Sequence, residues 1–295
     1  MGENTFSFGS AVAAGVAAMA AGGLFLWQQT NCLRTTAYTV PALPGFGGFT
    51  IAQVSDLHGK RFGKGQVRLL RRLEAARPDI ICFTGDMAEE RNRSLLPLEE
   101  LYRGARCIAP LYSVEGNHEP LFCYAAEHTE LLHKYGVHDV TNREELINYS
   151  GSAARIGGIG WAYPSGGRRY AFPEGIHLNR LPDILLVHDP NTIRETAGRT
   201  YLQLSGHMHG GQVALPGGRA ILSPRVDSRR VYFPPYAGGI YNEKGTILVV
   251  SRGVGVSSNI RIRCFCRPEL TVIRMQGGDA TVSMSKCEKI SHNFF

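Results

Sequence analysis

The stretch Ser205-Gly206-His207-Met208-His209-Gly210-Gly211-Gln212 is the point from which the rest of the chain is read. It directly follows the alternating run Tyr201-Leu202-Gln203-Leu204. In an extended segment, residues i and i+2 project to the same side, so His207 and His209 direct two imidazoles at one place. The flanking glycines let the backbone approach whatever lies there. Imidazole suits zinc, iron and manganese alike, and an isolated His-x-His is more often a tight turn than a metal site. The balance changes only with the pattern upstream.

Four further polar clusters end apolar runs. Phe49-Thr50-Ile51-Ala52-Gln53-Val54 stops at Asp56-Leu57-His58, and Ile80-Ile81-Cys82-Phe83-Thr84 at Gly85-Asp86. Residues 111–114 run into Gly116-Asn117-His118-Glu119, and residues 183–187 into His188-Asp189-Pro190. Further β segments are predicted at 155–161, 231–233, 246–251 and 270–275, and helices at 66–77, 98–106, 122–135 and 191–198. Each cluster thus follows the C-terminal end of a predicted strand, the edge at which layered α/β folds bind ligands. Strands alternate with helices in the first half, and the second half is richer in β. This predicts an α/β fold of two sheets packed face to face with helices outside.

The clusters hold two carboxylates (Asp56, Asp86), an amide (Asn117) and four imidazoles (His58, His188, His207, His209). That mixture suits Mn²⁺, Fe or Zn²⁺ and is too rich in nitrogen for calcium. Seven donors exceed the needs of one transition metal. They suit two metals about 4 Å apart sharing a carboxylate, the arrangement used for in-line displacement at phosphorus by a bridging hydroxide. Asp189 reads as a loop cap, and histidines 128, 133, 138, 177 and 292 as surface residues.

Asp56-Leu57-His58, Gly85-Asp86, Gly116-Asn117-His118-Glu119, His188 and Gly206-His207-Met208-His209 resemble, in order and spacing, the five blocks of the calcineurin-like metallophosphoesterases. The resemblance implies a four-layer α/β/β/α sandwich of two mixed sheets flanked by helices, and two divalent metal ions such as Mn²⁺. It implies Asp56, His58 and His209 on the first metal, Asn117, His188 and His207 on the second, and Asp86 bridging. It further implies that His118 contacts the phosphate or protonates the leaving oxygen. Met87-Ala88-Glu89-Glu90 stands where the protein phosphatases of this superfamily carry an arginine, which argues against a protein phosphatase. The late stretch Ser251-Arg252-Gly253-Val254-Gly255, with Gly238-Gly239, Gly245, Arg263 and Arg267-Pro268-Glu269, is similar to the bacterial membrane-associated phosphodiesterases. Some members of that branch hydrolyse the pyrophosphate of UDP-2,3-diacylglucosamine in lipid A synthesis. A broad-specificity phosphodiesterase and a non-catalytic metal-binding scaffold are the alternatives.

The 295 residues, 43% hydrophobic and 19% charged, describe a globular protein rather than a disordered one. A net charge of +7 favours an anionic partner such as a phosphodiester or a nucleotide-linked lipid. No dense Lys/Arg run alternates with aromatics, so nucleic acid is not an expected partner. Arg168, Arg169, Arg229 and Arg230 are candidate phosphate grips, though such pairs are commonly just solvated. Seven unevenly spaced cysteines favour a reducing compartment, and Cys82, inside an apolar run, reads as a buried free thiol.

Residues 4–33 carry no charge. A membrane-spanning helix takes ~20 apolar residues, so this segment is read as a single N-terminal anchor over 1–33. A cleaved signal peptide would lack the usual preceding Lys or Arg, and a buried soluble helix would lack a polar face. Arg34, Lys60 and Arg61 follow the span, which predicts a catalytic domain on the cytoplasmic side of the cell membrane. A linker is expected over 34–48, a catalytic domain over 49–277 and a tail over 278–295.

Overall fold

Short strands buried on both faces build the body of the molecule. In a computed structural model, which describes residues 8–89, 94–121, 125–161, 181–221, 232–256, 261–277 and 283–284, a long helix α1 (Phe8–Asn31) leads into β1 (Arg34–Pro41) and β2 (Thr50–Val54). Then follow α2 (Val67–Ala76), β3 (Ile80–Thr84), α3 (Leu96–Ala105), β4 (Leu111–Val114), α4 (Ala125–Tyr135) and β5 (Val137–Asp139). The second half runs β6 (Glu144–Tyr149), β7 (Ser152–Ile159), β8 (Ile184–Val187), α5 (Ile193–Thr196), β9 (Leu202–Ser205), β10 (Gly239–Glu243), β11 (Thr246–Val250), β12 (Glu269–Gln276) and β13 (Ser283–Met284).

The strands form two mixed sheets, ordered β13-β1-β12-β2-β3-β4-β5 and β10-β11-β9-β8-β7-β6. Successive residues of β3 show why they pack as layers. Ile80 and Cys82 join a core with Ile156, Leu186, Leu204 and Val249 of the other sheet. Ile81 and Phe83 face the opposite way, against Leu69 and Leu73 of α2 and Leu101 and Tyr102 of α3. On the far side of the second sheet, Leu248 and Val250 pack on Ile193 of α5. Strands buried on both faces read as nearly continuous apolar runs, as β3 does. The α/β architecture of two mixed sheets flanked by helices is therefore as expected.

Three sequence readings need correction. Residues 34–48 are not all linker: β1 is an interior strand, parallel to β12 from Arg34↔Glu269 to Pro41↔Gln276. Its polar opening Arg-Thr-Thr hides a strand pattern whose inward positions, Tyr38 and Val40, are fully buried. Residues 231–233 form no strand among the described residues: Tyr232 and Phe233 are exposed, and the Phe233 ring faces the Arg219 guanidinium. Val231 lies outside the described residues. His128 is buried rather than on the surface, because it shares the inward face of α4 with Leu132 and Tyr135. Its Nε2 lies 3.5 Å from the Tyr102 hydroxyl. His133 and His138 are exposed, Cys82 is a buried free thiol, and His177 and His292 lie outside the described residues.

α1 is long and apolar enough to cross a membrane. Val12, Val16, Met19, Leu24 and Trp27 are exposed along it. Its last turns touch the domain. Phe25 packs on Phe265 with ring centroids 5.3 Å apart, Thr30 Oγ1 accepts from the Arg263 backbone N–H at 3.0 Å, and the Thr30 carbonyl accepts from Lys60 Nζ.

Candidate metal centre

All five polar clusters lie at the C-terminal ends of their strands: Asp56 and His58 after β2, Asp86 after β3, Asn117 and His118 after β4, His188 after β8, His207 and His209 after β9. The sheets bring these ends together. Asp56 and His58 donate backbone N–H bonds to the carbonyls of Gly85 and Asp86, and Gly206 to that of His188. The turns are tight enough to force left-handed backbone on five of the eight residues: Asp56, His58, Asp86, His207 and His209, with φ between 47° and 67°. Non-glycine residues in that region cost ~1–3 kcal/mol each and persist where surrounding structure imposes them. Gly206 is required by close approach, since a Cβ there would lie 1.8 Å from Ser55 Oγ and 2.6 Å from Asp56 Oδ2.

Three groups of donor atoms converge: Asp56, His58 and His209; Asp86, His188 and His207; and His58, Asp86 and His118. His209 Nε2 lies 3.3 Å from Asp56 Oδ1 and 3.1 Å from His58 Nε2. His188 Nε2 lies 3.1 Å from Asp86 Oδ2 and 3.2 Å from His207 Nδ1. Asp86 Oδ2 also lies 3.9 Å from His58 Nε2 and 3.8 Å from His118 Nε2, so Asp86 stands between the groups. Asn117 sits on the same loop as His118, whose backbone N–H donates to Asp86 Oδ1 at 2.9 Å. Of the histidines in the cluster, His118 is the one whose side chain keeps substantial solvent access, 20%.

The donors fit divalent cations. Burial pushes the pKa of His58 down to about 3 and that of His207 to about 4, and holds His209 well below the usual imidazole range. All three are then neutral, the form that ligates. Burial, reinforced by Asp86, raises Asp56 to about 6. Burial works against charging Asp86 as well, but His188 outweighs it and holds this carboxyl well below its usual range. Burial likewise opposes charge on His188, yet Asp86 and Asp56 raise it to about 10. The two acids therefore favour positive charge on His188, a role a bound cation takes over. His188 Nδ1 faces the Thr84 carbonyl at 2.6 Å, which orients the ring with Nε2 toward the other donors. His207 Nε2 is buried with no hydrogen-bond partner among the described residues.

Three supporting residues carry no assignment in the sequence reading. Glu119 accepts backbone N–H bonds from Asp86, Met87 and Gly116, clamping two of the loops together. Its place in the Gly-Asn-His-Glu block was the available signal. Arg263, fully buried, donates to the carbonyls of His209, Gly255 and Cys266 and reaches within 3.4 Å of His209 Nδ1. Trp161 walls the pocket, its ring centroid 5.3 Å from that of His207. Gly253, Val254 and Gly255 of the late stretch also gain a role, because the Val254 and Gly255 N–H groups donate to Ser55 and Asp56. Asp189 caps the turn after β8 through the Asn191 N–H. Arg168, Arg169, Arg229 and Arg230 lie outside the described residues.

Comparison with known proteins agrees with this arrangement. The calcineurin-like phosphoesterase family matches residues 49–211. The uncharacterized metallophosphoesterase YkuE of Bacillus subtilis is 28% identical over 284 residues, covering 91% of this chain and 94% of its own length. An uncharacterized metallophosphoesterase of Aquifex aeolicus is 26% identical, covering 86% of this chain and 96% of its own. The phosphodiesterase YaeI of Escherichia coli is 25% identical over 237 residues, 77% of this chain and 82% of its own. With the family match spanning all five ligand-bearing loops, the chain belongs to the calcineurin-like phosphoesterase family and is a metal-dependent phosphoester hydrolase.

Proposed function

We propose that this protein hydrolyses a phosphodiester or pyrophosphate bond at a dinuclear centre, on a substrate presented at a membrane. In this reading Asp56, His58 and His209 would hold one divalent ion such as Mn²⁺, Asn117, His188 and His207 would hold a second, and Asp86, between the two groups, would serve both. Two such ions supply charge on the phosphoryl oxygens and a nucleophile drawn from water at neutral pH. His118, beside Asp86 and open to solvent, binds the phosphate and delivers a proton to the leaving oxygen. Glu119 and Arg263 hold the loops in register, and Trp161 limits water on one side of the pocket.

The observation that carries the membrane part is the short path from α1 to the site. Thr30, in its last turn, bonds the backbone of Arg263, and the Arg263 side chain bonds the His209 carbonyl. A helix whose apolar side chains face the surroundings, ending one residue layer from a metal ligand, suits a lipid-linked substrate better than a soluble one. Arg34 lies three residues past the end of α1, which supports a cytoplasmic catalytic domain. The phosphodiesterase name of YaeI supports a diester-type substrate. UDP-2,3-diacylglucosamine combines the pyrophosphate, the nucleotide and the acyl chains that this reading asks for.

The test is turnover of UDP-2,3-diacylglucosamine by detergent-solubilised protein with Mn²⁺, with Asp86→Asn as the blank. UMP and lipid monophosphate are the expected products. Hydrolysis of a soluble aryl phosphodiester alone would keep the chemistry and remove the lipid substrate, leaving a broad phosphodiesterase. No turnover of either substrate by metal-loaded protein would leave the scaffold reading.

A further inference from the structure

Where α1 meets the domain, a cavity of about 370 Å³ opens between Asn31, Leu33, Phe62, Arg68, Arg72 and Arg267. It is separate from the metal centre, and no step proposed above uses it. Its charge is one-sided. Among the described residues no carboxylate lies within ion-pair distance of Arg68, Arg72 or Arg267, although five other carboxylates, among them Glu269 and Glu100, are paired with Arg or Lys or with a histidine outside the metal cluster. Burial and the Arg267 charge push the Arg72 pKa down, the signature of like charges held together. Two of the three guanidinium groups are oriented by a neutral acceptor: Arg72 Nη1 donates to Thr35 Oγ1 at 3.2 Å, and Arg267 Nε to the Cys32 carbonyl at 3.0 Å. Five N–H donors per guanidinium leave several for a ligand. The basic surface continues past Arg72 into a second cavity lined by Arg71 and Arg274.

Position selects the occupant. Trp27 is exposed one turn before the end of α1, and Trp gathers at the headgroup level of a bilayer. At 1.5 Å per residue, Asn31 lies ~6 Å further along the axis, at the depth of lipid phosphates. Two other exposed apolar side chains, Ile262 and Phe265, flank Arg263 beside this helix end and suit the acyl boundary. Leu33 and Phe62 give the cavity an apolar wall, so it accepts an amphiphile rather than a bare ion.

We propose that this cavity binds the phosphate of an anionic phospholipid headgroup from the leaflet in which α1 ends. The lipid bridges the helix end and α2, and so fixes the tilt of the catalytic domain on the membrane. The proposal rests on α1 being a membrane anchor.

Native mass spectrometry of the full-length, delipidated protein in detergent tests it, with phosphatidylglycerol, phosphatidylcholine and inorganic phosphate as probes. One phosphatidylglycerol should be retained with a preference of about tenfold or more over phosphatidylcholine, since each basic contact favours anionic lipid severalfold. Arg72→Gln/Arg267→Gln should bring the two lipids to within about twofold. Arg72→Lys/Arg267→Lys should keep most of the preference, and hydrolysis of a soluble aryl diester should be unchanged. If the double variant does not fold, Arg68→Gln on the exposed face of α2 carries the test with a smaller loss. Equal retention of both lipids, or a preference untouched by the substitutions, would overturn the proposal. Tight binding of inorganic phosphate that excludes lipid would make this a soluble-anion site and overturn it too. Release of the chain from membranes by alkaline carbonate would remove the anchor and the lipid site together. Retention without anionic preference would remove the lipid site alone.

Discussion

Two buried charge clusters lie a few residues apart in this fold and are built on opposite terms. Around Glu269, at the start of β12, one carboxylate meets Arg34 at 2.6 Å, Arg252 at 3.0 Å and Thr36 Oγ1 at 2.7 Å. Burial works to raise its pKa, but Arg252 and Arg34 outweigh burial and hold it below the usual carboxylate range. Around Asp56 and Asp86, two carboxylates share a site with His58, His207 and His209, which burial drives neutral, and with His188, whose pKa they raise; among the described residues no Arg or Lys lies within ion-pair distance of either carboxylate. The first cluster is complete as it stands and ties β1, β12 and the 251–256 loop together. The second is completed by cations. Burial is common to both, so counter-charge, not burial, separates a structural ion cluster from a chemical one.

The contrast can be broken most sharply at Asp86. Asp86→Asn should lower Mn²⁺-dependent hydrolysis by on the order of 10³-fold or more, because the oxygen facing both donor groups is lost. Circular dichroism should show the fold intact. His118→Ala should lower kcat by roughly 10²-fold or more, the scale of a lost proton donor, while metal content by mass spectrometry stays at the wild-type level. Loss of metal in that variant would make His118 a ligand, with His58 and Asp86.

The Glu269 cluster should respond in the other currency, stability. Glu269→Ala should cost ~3–5 kcal/mol in denaturant unfolding, since two guanidinium groups lose their partner, with metal stoichiometry unchanged. Its depressed pKa sets the pH sign. The stabilisation is full above the unfolded carboxyl value of about 4.3 and is lost as pH falls through the lower folded value, so the variant and wild type should converge in acid. The smallest effect is expected from chelation. Stripping the weaker-held ion, bound at a concentration of about 100 Kd, should remove ~2.7 kcal/mol and lower Tm in wild type, but much less in Asp86→Asn.

Much of this was legible in the chain because its signals are local. A short apolar run followed by Asp-x-His or Gly-Asp places a ligand at a strand end, and the His-x-His after β9 needs only period-two geometry. What escaped is what depends on distant partners. Opening on Arg-Thr-Thr, β1 looks like a linker until Glu269 on β12 takes up Arg34 and Thr36. Edge strands such as β6 bury too little for alternation to show. Arg263 lies 54 residues from His209, so no spacing announces that its guanidinium braces that loop. His128 misled because a lone histidine on a helix carries no sign of which face is covered.

The most direct test of the account is the metal content of the purified full-length chain after incubation with Mn²⁺ and gel filtration, beside Asp86→Asn and Glu269→Gln. The account predicts two ions per chain in wild type and in Glu269→Gln, and fewer than two in Asp86→Asn. One ion or none in folded wild type, or a loss of metal in Glu269→Gln equal to that in Asp86→Asn, would contradict it.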